Sequence, residues 1–330
     1  MKVSFLVTYY NQEKYVRQSM DSILAIEKPF DWEILVGDDG STDSTVEIVK
    51  EYMVQYPGQV FLYVMDREPG KKYEIVRRSS ANRMNLLQHM TGDYFCFLDG
   101  DDFYTDTEFV AQALELYRQH EGMSVIAFGY QHFSDVKGIL VSKMLSAGVM
   151  DTRFYLRSCF THAGACVLKN CFTQERLDWL KDIGYYDDNN ILINNLHFGG
   201  MYAVNRPVYG YRQTDNSTYN AMNIAEQAVL NVQGWDVDRL LLPEHARDLA
   251  VRYGVCLKQM YFLRHRLKAL LGAEKHERYL QGCRTIPNSM AYALLAGTAL
   301  SADDRKLLCK VLLAHPKQTL RVLLACGKLH

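Results

Sequence analysis

Asp99-Gly100-Asp101-Asp102 places three carboxylates in four residues, directly after the apolar run Tyr94-Phe95-Cys96-Phe97-Leu98. Carboxylates this close repel one another, and each raises the pKa of the next. Water, backbone donors or a cation must compensate them. A divalent cation does so best, because Mg²⁺ and Mn²⁺ prefer oxygen ligands. The simpler alternative is a polar turn after a strand. A calcium loop does not fit. Counted from Asp99, the sixth position is Tyr104 rather than Gly and the twelfth is Val110 rather than Glu.

Two further acidic pairs follow other runs. Asp38-Asp39 ends the stretch Glu33-Ile34-Leu35-Val36-Gly37, and Asp187-Asp188 follows Tyr185-Tyr186. Neither a G-x-x-x-x-G-K-[ST] phosphate loop nor a G-x-G-x-x-G fingerprint occurs. Cys159, His162, Cys166 and Cys171 are metal-ligand types, but they lack the two paired knuckles of a structural zinc site. The middle of that cluster, Ala163 to Leu168, reads as a buried strand, and a lone His in it reads as a satisfied core group.

The elements that must hold these carboxylates alternate. Val3 to Val7, Glu33 to Gly37, Val60 to Val64 and Tyr94 to Leu98 are short apolar runs, hence strands. Between them, Val16, Met20, Ile23 and Leu24, then Val46, Val49, Met53 and Tyr56, recur at helical spacing. Ser41 or Thr42 is expected to cap the second of these helices, and a third helix is expected near Ser79 to Met90. This β-α-β-α order predicts an α/β fold with a mostly parallel sheet and helices on both faces. Ligands bind such sheets at the carboxyl ends of the strands. Asp38/Asp39 and Asp99/Asp101 are therefore expected on one rim.

Beyond Tyr104 the pattern gives a helix through Phe109 and Tyr117, a strand at Ser124 to Phe128 and a hairpin turn around Asp135 to Gly138. From about residue 223 it becomes helical. The expected domains are 1–222 and a C-terminal helical region, 223–330.

The totals bound the function. The chain has 330 residues, 48% hydrophobic and 23% charged, enough for a substantial core. A net charge of -1 argues against nucleic acid as a partner. The eight cysteines form no CxxC pair, and the N-terminus begins on a strand pattern rather than a signal peptide, so a reduced, cytoplasmic protein is expected. No apolar run approaches the roughly 20 residues that span a bilayer.

Three stretches occur in order: "SFLVTYYNQEKYVRQSMDSIL", "EILVGDDGSTDST" and "SSANRMNLLQHMTGDYFCFLDGDDFY". Together they resemble the glycosyltransferase family 2 enzymes, nucleotide-sugar-dependent transferases with the GT-A fold. The resemblance covers roughly residues 1 to 220. It implies a Rossmann-like sheet and an inverting transfer from a nucleotide-sugar, most often a UDP-sugar, to a hydroxyl of a saccharide or lipid-linked acceptor in surface glycan synthesis.

The resemblance also assigns roles. Thr8 and Tyr10 flank the base, Asp39 accepts from the uracil N3–H, and Arg83 lies near the nucleotide and its phosphates. Asp101 holds Mn²⁺ or Mg²⁺ directly. Asp99 holds it through water or contacts the ribose. Asp102 is expected to cap the following helix. Asp188 is the catalytic base, with Asp187 beside it in the usual Glu position. Arg212 contacts the diphosphate, although Thr214 stands where the family often has His. His162 falls where a polar acceptor-side residue is common.

The C-terminal region carries Lys and Arg among leucines in residues 258–278 and again from Arg305 to Lys328. Peripheral contact with an anionic membrane is one reading. An ordinary helical subdomain with snorkelling cations is the other. Two rivals stand beside the transferase. A nucleotidyltransferase would want a glycine-rich first loop, and "TYYNQEKY" has none. A catalytically impaired homologue would bind nucleotide-sugar or act as an assembly partner.

Overall fold

The computed structural model describes residues 1–68, 73, 75–213 and 222–328. The chain divides into two compact units. The first comprises residues 1–152, 159–181 and 186–214, and the second comprises 153–158, 182–185 and 215–330.

The first unit alternates β1 (Lys2–Tyr9), α1 (Val16–Leu24), β2 (Asp31–Asp38), α2 (Thr45–Gln55), β3 (Val60–Val64), α3 (Ile75–His89) and β4 (Tyr94–Asp99). Then come β5 (Phe103–Tyr104), α4 (Phe109–Gln119), β6 (Met123–Ser134), β7 (Gly138–Lys143) and β8 (Gly148–Met150). After α5 (Thr152–Ser158), whose residues 153–158 belong to the second unit, follow β9 (Cys166–Lys169), α6 (Gln174–Ile183), α7 (Asp188–Phe198) and β10 (Gly200–Arg212). The sheet order is β3-β2-β1-β4-β9-β6-β10-β5, with β7 on β6 and β8 on β10.

β3, β2, β1 and β4 are parallel, and β10 is parallel to β6. β9 lies antiparallel between β4 and β6. β1 is buried along nearly its whole length, which is why it reads as a continuous apolar run rather than an alternating one. Val3, Phe5, Val7 and Tyr9 join the core that Val16, Met20, Val49, Phe109 and Val110 complete from α1, α2 and α4. α3 covers the opposite face. A Cβ at Gly37 would fall 2.1 Å from Asn82 Oδ1 and 3.2 Å from Leu86, so glycine lets that helix close on β2.

α2 starts two to three residues later than its expected caps. Ser44 is its N-cap, and Ser41 instead donates its hydroxyl to Asp38 Oδ2 and its N–H to Asp38 Oδ1. Asp38 is a better partner for this turn than an exposed helix end. The stretch 163–168 is part strand only: Ala163–Ala165 forms a 3₁₀ turn before β9.

The second unit is helical: α8 (Ile224–Leu241), α9 (Ala246–Arg252), α10 (Gly254–Leu263), α11 (Leu267–Leu271), α12 (Ala273–Cys283), α13 (Met290–Ala296), α14 (Ala302–Ala314) and α15 (Pro316–Gly327). Among the described residues no helix is long and apolar enough to cross a membrane.

Candidate functional site

Parallel pairing fixes the first part of the site. Thr8 on β1 stands opposite Gly37 on β2 and Asp99 on β4, and Tyr9 stands opposite Asp38. The acidic ends of β2 and β4 therefore share a rim, as strand order alone requires. Gly100 tightens this rim: a Cβ there would lie 2.1 Å from the Tyr9 ring. Its N–H donates to Thr8 O at 3.0 Å.

The three carboxylates of the loop have three different environments. Asp99 receives Arg83 Nη2 at 3.0 Å and the Thr8 hydroxyl at 3.5 Å. Burial pushes its pKa up, but the Arg83 guanidinium and His162 outweigh burial and leave the carboxyl below its ordinary value. The Asp101 carboxylate forms no ion pair among the described residues, and Arg212 and His162 act on it only electrostatically. Burial, then Asp99, raise its pKa. Asp102 is 2% exposed and accepts from the Tyr209 hydroxyl at 2.5 Å and from Arg212 N at 2.7 Å. Burial, then Asp101 and Asp99, push its pKa well up.

Asp102 therefore does not cap the next helix. β5 intervenes, and the carboxylate turns inward to tie β10 to the loop. Asp102→Ala would strand two buried donors, so the expected loss is about 2–4 kcal/mol, read as a lower urea midpoint. Asp102→Asn, which keeps one acceptor, should lose less. An unchanged midpoint in the alanine variant would show that these two contacts are not formed in solution.

The remaining predicted residues fall in two groups. Arg83, Asp99, Asp187 and Asp188 cluster, since both of the latter carboxylates act electrostatically on Arg83. Asp187 is the N-cap of α7 and forms a reciprocal capping box with Asn190. Burial, then Asp188, push its pKa up to about 6. Asp188 is the first residue of α7, and its Oδ2 lies 3.6 Å from His162 Nε2. Buried Asn195 holds α7 in place by donating to Ser124 O and Lys169 O at 3.2 and 2.8 Å.

At the other end of the rim, Asp39 is paired with two arginines. Arg67 reaches Oδ2, and Arg78 Nε reaches Oδ1 at 2.6 Å. The Arg67 guanidinium also lies 3.8 Å from the centre of the exposed Tyr10 ring. Sequence reading missed both arginines. Asp39 is nearly buried, and a buried carboxylate demands a counter-charge, but nothing local says which arginine supplies it.

Arg212 is 5% exposed. Nε donates to Asp101 O at 2.6 Å and Nη2 to Gln18 Oε1 at 2.5 Å, while Nη1 pairs with Asp135. Tyr15, Phe103 and Phe133 pack around the guanidinium. Any diphosphate contact by Arg212 would replace some of these bonds. Thr214 lies outside the described residues.

A fit for a divalent ion can be read from the donor set. Ligand-type atoms of Asp99, Asp102 and His162 lie within 4.8 Å of one another. However, Asp99 already has a guanidinium, both Asp102 oxygens accept hydrogen bonds, and His162 Nδ1 accepts from Gly164 N at 3.2 Å. Among the described residues Asp101 is the carboxylate of the loop with neither an ion pair nor a donor from another residue, and its oxygens suit Mg²⁺ or Mn²⁺.

Residues 4–172, just over half of the chain, match the family model described as "Glycosyl transferase family 2". The chain belongs to that family. Over 134 residues this family 2 member is 31% identical to the putative glycosyltransferase EpsE of Bacillus subtilis, covering 41% of the chain and 45% of EpsE. It spans a third to under a half of the length of such curated relatives. Its fold is that of S. aureus TarS 1–349, solved in complex with UDP-GlcNAc: TM-score 0.60 at 16% identity, covering 99% of this chain and 92% of that one. A Pyrobaculum calidifontis mannosyltransferase, solved with GDP-Man and Mn²⁺, aligns at TM-score 0.50 and 16% identity over 98% of this chain and 86% of its own.

Proposed function

We propose that this family 2 chain is an inverting, metal-dependent glycosyltransferase that moves a sugar from a nucleotide-sugar, most often a UDP-sugar, to a hydroxyl of a saccharide or lipid-linked acceptor in cytoplasmic surface-glycan synthesis. The observation that carries this reading is a rim with Asp101, a carboxylate in no ion pair among the described residues, together with Asp188 at a helix start close to Arg83 and His162. The relatives' glycosyltransferase names and the nucleotide-sugar complexes of the two fold neighbours support it.

In this reading Thr8, Tyr10 and Asp39 with its arginines form the nucleoside end. Asp101 would hold Mn²⁺ or Mg²⁺ directly, with Asp99 behind it through water. When bound, the ion supplies Lewis-acid neutralisation of charge on the leaving diphosphate. Arg83 keeps Asp99 ionised and adds a fixed positive charge near the phosphates. An acceptor hydroxyl has a pKa far above neutrality, so Asp188 takes its proton as the glycosidic bond forms. Attack opposite the leaving group inverts the anomeric centre. The test is calorimetric titration of UDP, GDP, CDP and dTDP, each with and without Mn²⁺. UDP is expected to bind best and to need Mn²⁺. Binding that ignores the metal would reject the metal-dependent reading.

The proposed peripheral membrane contact narrows to one helix. In residues 258–278, Lys258, Met260, Leu263, Leu267 and Leu271 are buried. By contrast, α15 exposes Leu320, Leu323 and Leu324 along one strip, 56%, 46% and 58% accessible. At 100° per residue, Lys317 and Arg321 lie along one edge of that strip, and α15 contains no acidic residue. An apolar strip beside cations suits an anionic lipid surface. Co-sedimentation with phosphatidylglycerol vesicles is expected, with loss in Leu320→Glu/Leu324→Glu. Equal recovery with and without vesicles would remove the membrane contact.

A further inference from the structure

We propose that His162 is a positioning residue that holds the Asp188 carboxylate through its Nε2–H; this rests on the reading of Asp188 as the base. A neutral imidazole has one donor and one acceptor nitrogen. Here Nδ1 is the acceptor, because Gly164 N donates to it at 3.2 Å. The proton therefore sits on Nε2, the nitrogen facing Asp188 Oδ2 at 3.6 Å. That distance is longer than a hydrogen bond, and such contacts tighten when the reacting complex forms.

The ring is held in this orientation from several sides. His162 is the N-cap of the 3₁₀ turn 163–165. It stacks on Tyr209 with ring centres 4.8 Å apart and planes 22° apart, and leans on Tyr211 at 5.0 Å. Gly164 brings the turn down on the same Tyr209 ring, where a Cβ would fall 2.3 Å from it. Tyr209 is itself fixed by its hydroxyl on Asp102. Asp102, Tyr209, His162 and Asp188 thus form one line of contacts from the carboxylate loop to the start of α7.

The tautomer assigns His162 to Asp188 rather than to a metal. A metal-bound imidazole must offer a lone pair. The Nδ1 lone pair is taken by Gly164, and Nε2 carries the proton. A donor on Oδ2 fixes the carboxylate's rotation and leaves Oδ1 to accept the proton from the incoming hydroxyl. Without it, a carboxylate on the first residue of a helix is free to turn toward water.

The test uses the full chain, Mn²⁺ and UDP release from UDP-GlcNAc. His162→Asn keeps an acceptor for Gly164 N and removes the group facing Asp188. Its kcat should fall by up to about 10²-fold, with KM for UDP-GlcNAc and half-saturation by Mn²⁺ unchanged. His162→Gln, whose amide N–H reaches the Nε2 position, should recover most of the loss. In an Asp188→Asn background, His162→Asn should cost nothing further. An unchanged kcat in His162→Asn beside an inactive Asp188→Asn would overturn this inference alone. A parallel loss of Mn²⁺ affinity would make His162 a metal ligand and also overturn it. An active Asp188→Asn would remove the base reading first. Independently of turnover, ¹⁵N NMR of labelled histidines should show one Nε2–H imidazole that disappears in His162→Asn and shifts in Asp188→Asn. An Nδ1–H tautomer at His162 would reject the inference outright.

Discussion

Asp188→Asn is expected to lower kcat for sugar transfer by about 10²–10⁴-fold, the range for loss of a positioned general base. The substitution preserves size and hydrogen-bonding shape, so the start of α7 should survive; its cap is Asp187, not Asp188. Asn cannot take a proton from the acceptor hydroxyl at neutral pH. KM for the nucleotide-sugar and the affinity for UDP with Mn²⁺ should stay within about 2-fold, because a general base, the role proposed for Asp188, acts on the transition state rather than on ground-state binding. The measurement is initial-rate UDP release across donor concentrations. If kcat persists, Asp188 is not the base. If the unmodified chain releases no UDP while still binding it, the chain is a nucleotide-sugar-binding homologue with no activity to lose.

The first hundred residues were legible because their physics is local. Strands buried on both faces leave continuous apolar runs, and Val3 to Val7, Glu33 to Gly37 and Tyr94 to Leu98 are such runs at β1, β2 and β4. The carboxylates placed directly after them had to emerge at strand ends, and the parallel register puts them on one rim. β9 was half legible: its apolar residues announced burial, but a preceding 3₁₀ turn leaves no periodic signature.

What the sequence hid is pairing over long separations. Asp39 meets Arg67 and Arg78, 28 and 39 residues on. Asp102 meets Tyr209 and Arg212 more than a hundred residues on, so a carboxylate that reads as a local helix cap becomes a tie to the last strand. Arg212, expected at the diphosphate, is engaged by Gln18, Asp101 O and Asp135. Asn194 and Asn195 lie within α7, and nothing in their local sequence says what they bond. Both are buried, and Asn195 serves backbone carbonyls of Ser124 and Lys169 that no apolar side chain could satisfy. His162 reads as a core histidine, and the sequence cannot reveal that its second nitrogen faces Asp188.

Asp101→Ala is expected to abolish the Mn²⁺-dependent part of UDP binding, and the size of that loss follows from the unequal charges in the loop. Asp99 has Arg83 as its partner, and Asp102 has two donors in the protein. Among the described residues Asp101 has neither, and burial with Asp99 close by outweighs Arg212 and His162 and makes its ionised form costly. In the proposed reading Asp101 would hold a divalent ion, which would supply the positive charge that relieves that cost. Removing the carboxylate would remove the proposed ligand of that ion, and a loss of several kcal/mol is expected for charge stabilisation of this kind. Calorimetry should therefore show at least about 10²-fold weaker UDP binding in Mn²⁺, and about equal, weak binding in both proteins without the metal. Asp99→Asn should lose less, since that carboxylate is proposed to act through water. It should also free Arg83, which then faces Asp187 and Asp188. If Asp101→Ala binds UDP and Mn²⁺ as tightly as the unmodified chain does, the ion is held elsewhere or not at all. The carboxylates of 99–102 are then a polar turn, with Arg83 carrying the phosphate charge alone.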